Sequence, residues 1–299
     1  MPTRSKSKKR GQVKKILLQT TIPPAKDDWA INRFSMLADF LADITDSRGQ
    51  ALHQVVARDR QNNPTGDDAI LSKLDDSDFD QLWLFGVDVG GGLTANDCAA
   101  ITRFLQRGGG ILTSRDHQDL GISFCTLGGV GGAHHFHSKN PEPDPSRRNI
   151  DDTETPAITW PNYHSGHNGD YQNVQAAEPL HPVMRSPKNA SGKITLLPAH
   201  PHEGAVSVPK GAKARVIATG HSKLTGRSFN LAVAFDGNGG SGRAIADSSF
   251  HHFLDYNLDP GRGCPSFVTE PAGDGMLKNA AAREDTFAYF RNLAGWLSA

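Results

Sequence analysis

The stretch that decides the fold is Gly108-Gly109-Gly110-Ile111-Leu112-Thr113-Ser114-Arg115-Asp116-His117-Gln118-Asp119-Leu120-Gly121. A glycine turn leads into a short apolar strand, and the strand ends on a cluster of ionisable side chains. In an open α/β sheet, ligands bind beside the carboxyl ends of the central strands. The position at which many folds of this kind carry a nucleophile holds Asp116 and His117. We therefore expect a functional site here that does not use a cysteine.

Strands and helices alternate around this stretch. Apolar runs predict strands at residues 13–20, 52–58, 81–87 and 110–114. Helical spacing predicts helices at residues 28–46, 67–74 and 95–107. Thr94, with Asp97 three residues later, is a good start for the last of these helices. The alternation favours an α/β fold of the flavodoxin-like, doubly wound type, with a mostly parallel sheet and helices on both faces.

The pattern changes after residue 121. Residues 128–192 form a long insertion rich in Gly, Pro and His, which could be a lid, a binding segment or partly disordered. Short strands are predicted at residues 194–198, 214–219, 230–235 and 243–246, as a mixed C-terminal extension of the sheet. A closing helix is predicted at residues 284–297. We expect a disordered basic tail at residues 1–12 and a single domain at residues 13–299.

Composition limits the class of protein. A chain of 299 residues with 37% hydrophobic residues has room for one large α/β domain. It contains no run of roughly 20 apolar residues that would span a membrane, and no secretory signal. Its three cysteines, Cys98, Cys125 and Cys264, are too scattered for a disulfide framework. We expect a cytoplasmic setting, with Cys125 as a buried helix residue and not a nucleophile.

Charge is unevenly distributed along the chain. Residues 1–15 hold seven Lys or Arg residues and no acid, although the whole chain has a formal net charge of zero. This tail could contact a polyanion such as nucleic acid, or it could be a solvated leader. No aromatic residues are interleaved with the basic ones, so nucleic acid is not expected as the main partner. The sequence leaves the oligomeric state open, a homo-oligomer included.

A second informative stretch, Leu197-Pro198-Ala199-His200-Pro201-His202-Glu203-Gly204, contains two of the 13 histidines. In an extended chain, residues two apart share a face, so His200 and His202 would present their imidazoles side by side. Together with the adjacent Glu203 they could bind Zn, Fe or Mn. They could equally form a metal-free acid–base site, or a polar loop shaped by its prolines.

Two further stretches carry candidate residues. His251 and His252 follow the strand predicted at residues 243–246, and adjacent residues point to opposite faces, so one of them should face the site unless both lie on the surface. Gly90, Gly91 and Gly92 follow the strand predicted at residues 81–87 and could bind substrate through an anion nest, or simply form a tight turn. Asp119 is a further candidate for substrate binding, and it could approach His117 and fix its tautomer.

The order of these stretches resembles the class I glutamine amidotransferase-like superfamily, and most closely its ThuA-like (trehalose utilisation) branch with related bacterial proteins. The matching pieces are residues 13–20, 84–87, 93–94, 104–110, 116–117, 181–182, 198–204, 242–253 and 289–297. The insertion at residues 128–192 is poorly matched.

The resemblance implies a flavodoxin-like sandwich with its site at the turn after the fourth strand. Amidotransferases carry a cysteine at this turn, with a histidine and a glutamate downstream. This chain has Asp116-His117 there, and His251 or His252 falls where the family's catalytic histidine would be. The departure argues against glutamine hydrolysis through a thioester. The ThuA-like branch is linked to sugar metabolism, so the resemblance implies a carbohydrate-type ligand.

These observations predict a metabolic enzyme of the hydrolase or isomerase type that acts on a small polar, carbohydrate-derived substrate. Asp116 or Glu203 would be the general base, and His117, His202 or His251 the acid or a metal ligand. His252 is a further catalytic candidate. The alternative is a non-catalytic module that keeps the fold and binds a ligand or a partner.

Overall fold

A computed structural model of the protein describes residues 13–151, 155, 157–237 and 239–298. The basic tail predicted at residues 1–12 lies outside the described residues. The strands are β1 Lys14–Thr20, β2 His53–Arg58, β3 Gln81–Phe85, β4 Gly110–Ser114, β5 His134–His135, β6 Tyr171–Asn173, β7 Gln175–Ala176, β8 Leu196–Pro198, β9 Ala205–Val206, β10 Ala214–His221, β11 Ser228–Phe235 and β12 Ala244–Asp247. The α-helices are α1 Ser35–Ala42, α2 Ala95–Gln106, α3 Asp255–Leu258, α4 Gly275–Lys278 and α5 Ala280–Leu297.

Eight strands form the central sheet in the order β2-β1-β3-β4-β12-β11-β10-β7. The first five strands of this order, β2, β1, β3, β4 and β12, are parallel to one another. Each of the last three, β11, β10 and β7, runs antiparallel to the strand before it in the sheet. Strand β4 lies between β3 and β12, so it is central and buried along its whole length. The carboxyl ends of β1, β3, β4 and β12 therefore meet at one edge of the sheet.

Apolar side chains cover both faces of this sheet. Leu37 and Leu41 of α1 pack on one face together with α5, and Ile101 and Phe104 of α2 pack on the other. Burial of such residues contributes about 25 cal/mol per Å² of apolar surface, which makes these two layers the main stabilising contacts. The predicted fold class, a mostly parallel flavodoxin-like sheet with a mixed extension, is confirmed.

Most of the predicted helices and strands are present, and where their type or their bounds differ from the prediction, contacts in the structure explain the difference. The predicted capping box of Thr94 and Asp97 is present at the start of α2. The helix predicted at residues 28–46 is a 3₁₀ turn, Ile31–Phe34, followed by the short α1, because Asp59 and Asp255 accept hydrogen bonds from backbone N–H groups at the two starts. The helix predicted at residues 67–74 is a 3₁₀ helix at Leu71–Asp76.

Two other differences concern the second half of the chain. Helix α5 begins four residues earlier than predicted, because Asn279 accepts hydrogen bonds from the N–H groups of Ala281 and Ala282. Cys125 lies half-buried in a 3₁₀ helix, Ile122–Thr126. The described part of the insertion at residues 128–192 packs onto the body of the protein through buried residues such as Trp160 and Tyr163.

Among the described residues, no helix combines the length and the apolar character that crossing a bilayer requires.

His181 lies at the start of a 3₁₀ helix, Pro182–Met184, where its Nδ1 accepts a hydrogen bond from the Val183 N–H. Burial, with a smaller contribution from Arg215, lowers the pKa of His181 from 6.5 to about 4. Because the pKa of His181 is lower in the folded state than in the unfolded state, folding favours its neutral form. With respect to this group, the protein therefore has its full free energy of unfolding above pH 6.5, and this free energy decreases as the pH falls from about 6.5 to 4.

We expect His181→Asn to weaken this acid sensitivity, since asparagine keeps the cap but does not titrate. Between pH 7 and pH 4 the free energy of unfolding should fall by about 3 kcal/mol more in the wild type than in the variant. Urea denaturation at a series of pH values measures the difference. Parallel pH profiles for the two proteins would contradict the assignment.

Candidate functional site

A cavity of about 470 Å³ opens at the edge where the parallel strands end. Its polar lining residues are Asp28, Asp88, Asp116, His117, Thr155, Asn168, His200, His202, His251 and Glu270. Its apolar lining residues are Ile22, Trp29, Val87, Val89, Leu120, Ile158, Phe267 and Val268. A second cavity of about 570 Å³, beside Arg147 and Arg227, contains none of the predicted site residues. The first cavity is therefore the candidate site.

The Asp116 carboxylate is the centre of this site. Strand β4 ends at Ser114 and places Asp116, only 1% exposed, at the edge of the sheet. Its Oδ2 lies 2.9 Å from His117 Nδ1, 3.2 Å from His200 Nε2 and 3.4 Å from His251 Nε2. Burial alone would raise the pKa of Asp116, but positive charge on His200, His117 or His251 outweighs burial and holds this pKa well below its usual range. A positive charge beside Oδ2 therefore favours the ionised form of Asp116.

His200 and His251 are held by amide side chains on their other ring nitrogen. His200 Nδ1 lies 2.9 Å from Asn168 Oδ1, and His251 Nδ1 lies 2.8 Å from Asn257 Oδ1. The two imidazole rings stack, with 3.5 Å between their centroids. Burial lowers the pKa of His200 well below its usual value, so its neutral form is favoured.

His117 and His202 lie nearer the opening of the pocket. The His117 side chain is 18% exposed, against 5% or less for the side chains of His200, His202 and His251. The rings of His117 and His202 are 5.2 Å apart, and His202 Nε2 is 3.9 Å from Glu270 Oε1. Of the four imidazoles, His117 is thus the one most accessible to a ligand.

Two groups of side chains in the described part of the chain could hold a metal ion. They are Asp116, His200 and His251, and His117, His200 and His202. In each group the ligand atoms lie within 4.8 Å of one another. His200 and His202, the predicted metal ligands, thus occur together in one of the two groups.

No model of a known protein family matches the chain, and no curated protein does. Solved structures similar to it include the mmIFT52 N-terminal domain, with 13% identity and a TM-score of 0.49 over 95% of this chain and 97% of the other. The glutaminase domain of Trypanosoma brucei CTPS has 13% identity and a TM-score of 0.48 over 94% of each chain. A ThuA-like protein from Bacteroides uniformis has 12% identity and a TM-score of 0.44 over 98% and 95%.

The last two proteins are of the kinds that the sequence resembles, a ThuA-like protein and a glutaminase domain. With TM-scores below 0.5, these similarities assign no activity to the chain.

The structure separates Glu203 and His252 from the pocket. Both are fully buried, and neither lines the cavity. Glu203 accepts hydrogen bonds from Ser165, Gln172 and Ser248, and its Oε1 lies 3.3 Å from His252 Nε2. This position favours a supporting role for the pair, whereas their role in catalysis stays a prediction.

His252 lies between two carboxylates in this buried network. Its Nδ1 lies 2.8 Å from Asp247 Oδ1, and Asp247 Oδ2 accepts a hydrogen bond from the Tyr289 hydroxyl. Burial would lower the pKa of His252, but Asp247 and Glu203 outweigh it and raise this pKa to about 10. The network therefore joins β12, the loop after β8 and α5 through a buried imidazolium.

Asp119 and the three glycines also lie outside the pocket lining. Asp119 accepts a hydrogen bond from the Ser138 N–H, and Asp116, not Asp119, is the partner of His117 Nδ1. Gly90 and Gly91 have positive φ angles of 129° and 77°, which a tight turn requires. The Gly90 N–H donates to Asp88, whose side chain does line the pocket. Substrate binding by Asp119, Gly90, Gly91 and Gly92 stays a prediction.

Several pocket residues were missed by sequence reasoning. Asn168 and Thr155 belong to the insertion at residues 128–192, and Glu270 lies in the segment between α3 and α4. Trp29 was assigned to a helix but contacts the His251 ring edge-on, with 5.0 Å between centroids. The long insertion was the one available signal, since a loop of that length is often functional.

Glu203→Gln tests the supporting role. The variant leaves the buried His252 imidazolium with one carboxylate fewer, so we expect the free energy of unfolding to fall by about 3 kcal/mol. Glu284→Gln removes an exposed carboxylate that pairs with Lys188, and should change stability by less than about 1 kcal/mol. Urea denaturation compares the two variants. Unchanged stability together with lost turnover would instead make Glu203 a catalytic residue.

Proposed function

We propose that the protein is an enzyme of the hydrolase or isomerase type that acts on a small polar, carbohydrate-derived compound in this pocket. The observation that carries the proposal is the buried Asp116 side chain in the cavity wall, with its Oδ2 2.9 Å from Nδ1 of His117, the most exposed of the four imidazoles. None of the three cysteines is among the described residues that line the pocket. Burial raises the pKa of the Cys98 and Cys125 thiols, which disfavours a thiolate nucleophile.

His117 is the proton-transferring group in this proposal. Its Nδ1 is bound by Asp116 Oδ2, so its Nε2, on the opposite side of the ring, is available to a substrate. A buried carboxylate that orients an imidazole in this way fixes its tautomer and stabilises the imidazolium that forms during the reaction. Asp116 is thus the positioning residue and His117 the general acid or base.

The remaining walls fit a carbohydrate. A sugar has apolar C–H faces and many hydroxyl donors. Trp29, Val87 and Phe267 supply apolar surface, while Asp28, Asp88 and Glu270 supply carboxylates, which are the acceptors that sugar hydroxyl groups need. The cavity is of the size that small-molecule sites have, roughly 300–1,000 Å³. The resemblance of the sequence to the ThuA-like branch points to the same substrate class.

Binding is tested first, with a panel of monosaccharides, disaccharides and their oxidised or phosphorylated derivatives in a thermal-shift assay. A ligand at 100 times its Kd stabilises the folded state by about 2.7 kcal/mol, which should raise the Tm by about 4 °C. Binders are then incubated with the protein, and products are followed by mass spectrometry.

His117→Gln should lower kcat by about 10²- to 10⁴-fold, since proton transfer by a positioned side chain contributes that much. Ligand binding should be retained. His221→Gln changes an exposed histidine that does not line the pocket and is the matched control. Full turnover in His117→Gln would contradict the proposed role, and binding without any turnover in the wild type would favour the non-catalytic module.

A further inference from the structure

The protonation states of His200 and His251 follow from a chain of hydrogen bonds that starts at a backbone carbonyl. The Ala199 carbonyl can only accept, so the side-chain atom of Asn257 that lies 2.9 Å from it is the amide nitrogen Nδ2. Asn257 Oδ1 therefore faces His251 Nδ1, which must carry the proton.

The same series of hydrogen bonds determines which ring nitrogen of His200 carries a proton. Asn257 Nδ2 also donates to Asn168, at 2.9 Å, so the atom of Asn168 that receives this bond is the oxygen Oδ1. That oxygen lies 2.9 Å from His200 Nδ1, which must donate to it. Both imidazoles thus carry a proton on Nδ1, and the neutral form of each has a lone pair on Nε2.

These two lone pairs converge on a carboxylate. His200 Nε2 and His251 Nε2 lie 3.2 and 3.4 Å from Asp116 Oδ2. Without a cation, the arrangement would bring three electron-rich atoms together in a buried site. Protonating one ring would pair it with the carboxylate but leave the lone pair of the other facing Oδ2, and protonating both would place two positive charges in a stack with 3.5 Å between centroids. A bound metal ion would remove the repulsion among these groups, because it attracts the two nitrogen lone pairs and the carboxylate oxygen at once.

The spacing also fits a metal ion. Two ligand atoms that each lie about 2.0–2.1 Å from a tetrahedral zinc ion are about 3.3 Å apart. The two measured nitrogen–oxygen distances bracket that value. Imidazole that is held through its other nitrogen by a fixed acceptor is the usual form of a metal-binding histidine. Two imidazoles with one carboxylate are donors that Zn, Fe or Mn accept and that leave further positions open.

We propose that Asp116, His200 and His251 bind one divalent transition-metal ion, with Asn168 and Asn257 holding the two imidazoles in the required tautomer. The inference rests on the proposed function and deepens it. A bound ion would polarise an oxygen of the substrate or lower the pKa of a bound water beside His117. Since the His200 and His251 rings are stacked nearly parallel, at 9°, one ring must tilt for both lone pairs to point at the ion.

The competing group of His117, His200 and His202 shares only His200 with this set. It lacks a carboxylate, and the centroids of His117 and His200 are 6.5 Å apart. His202 is a ligand in the competing group alone, so its substitution distinguishes the two assignments.

The test uses tag-free, full-length protein that is treated with a chelator, dialysed and titrated with Zn²⁺, Mn²⁺ or anaerobic Fe²⁺. Bound metal is measured by calorimetry and elemental analysis. We expect one ion per chain for at least one of these metals, and no comparable binding of Ca²⁺, which prefers oxygen ligands. Asp116→Asn and His251→Ala should each abolish stoichiometric binding. Asn257→Ala should weaken it about 10- to 100-fold.

His202→Ala and the exposed-site control His221→Ala should bind like the wild type. Thermal unfolding of each metal-free variant shows that it is folded, and Asp116→Asn preserves the shape of the site if His251→Ala does not fold. Absence of binding in the wild type, unchanged binding in Asp116→Asn, or loss of binding in His202→Ala would each overturn the inference. Turnover that depends on His117 in a protein without bound metal would retain the proposed function but reject the metal.

Discussion

The structure of the site depends on the cost of burying one negative charge. Asp116 is 1% exposed, and a buried carboxylate is tolerated only when neighbouring groups compensate for its lost hydration. Strand β4 brings it to the sheet edge, the loop after β8 brings His200, and the segment after β12 brings His251. The parallel pairing of β4 with β12 makes this meeting possible, because both strands end at the same edge.

The side chains around Asp116 do not all compensate for its negative charge, and this difference points to function. His117 is placed as a donor to Asp116, whereas the amide chain through Asn257 and Asn168 turns the Nε2 atoms of His200 and His251 toward the carboxylate as lone pairs. A purely structural network would pair donors with acceptors, as the Glu203–His252–Asp247 network does behind the pocket. The cluster of Asp116, His200 and His251 is therefore arranged to bind a cation. The network of Glu203, His252 and Asp247 stabilises the fold behind it.

Sequence reasoning succeeded where neighbours along the chain decide the structure, as in strand β4 and the capping box of α2. It also placed Asp116 and His117 at a strand end. It could not tell that His202 faces the pocket while Glu203 faces the core, because alternation separates two faces without saying which one is buried. Asn168 and Asn257 gave no signal, since each meets its histidine only when distant segments fold together.

The central claim is that Asp116, His200 and His251 surround one position for a cation beside His117. The most direct measurement is a crystal structure of tag-free protein grown with Zn²⁺, with anomalous diffraction recorded on both sides of the zinc absorption edge. A single anomalous peak about 2.0–2.2 Å from Asp116 Oδ2, His200 Nε2 and His251 Nε2 is the predicted result. A well-ordered pocket with no peak there, or a peak held by other residues, would contradict the account.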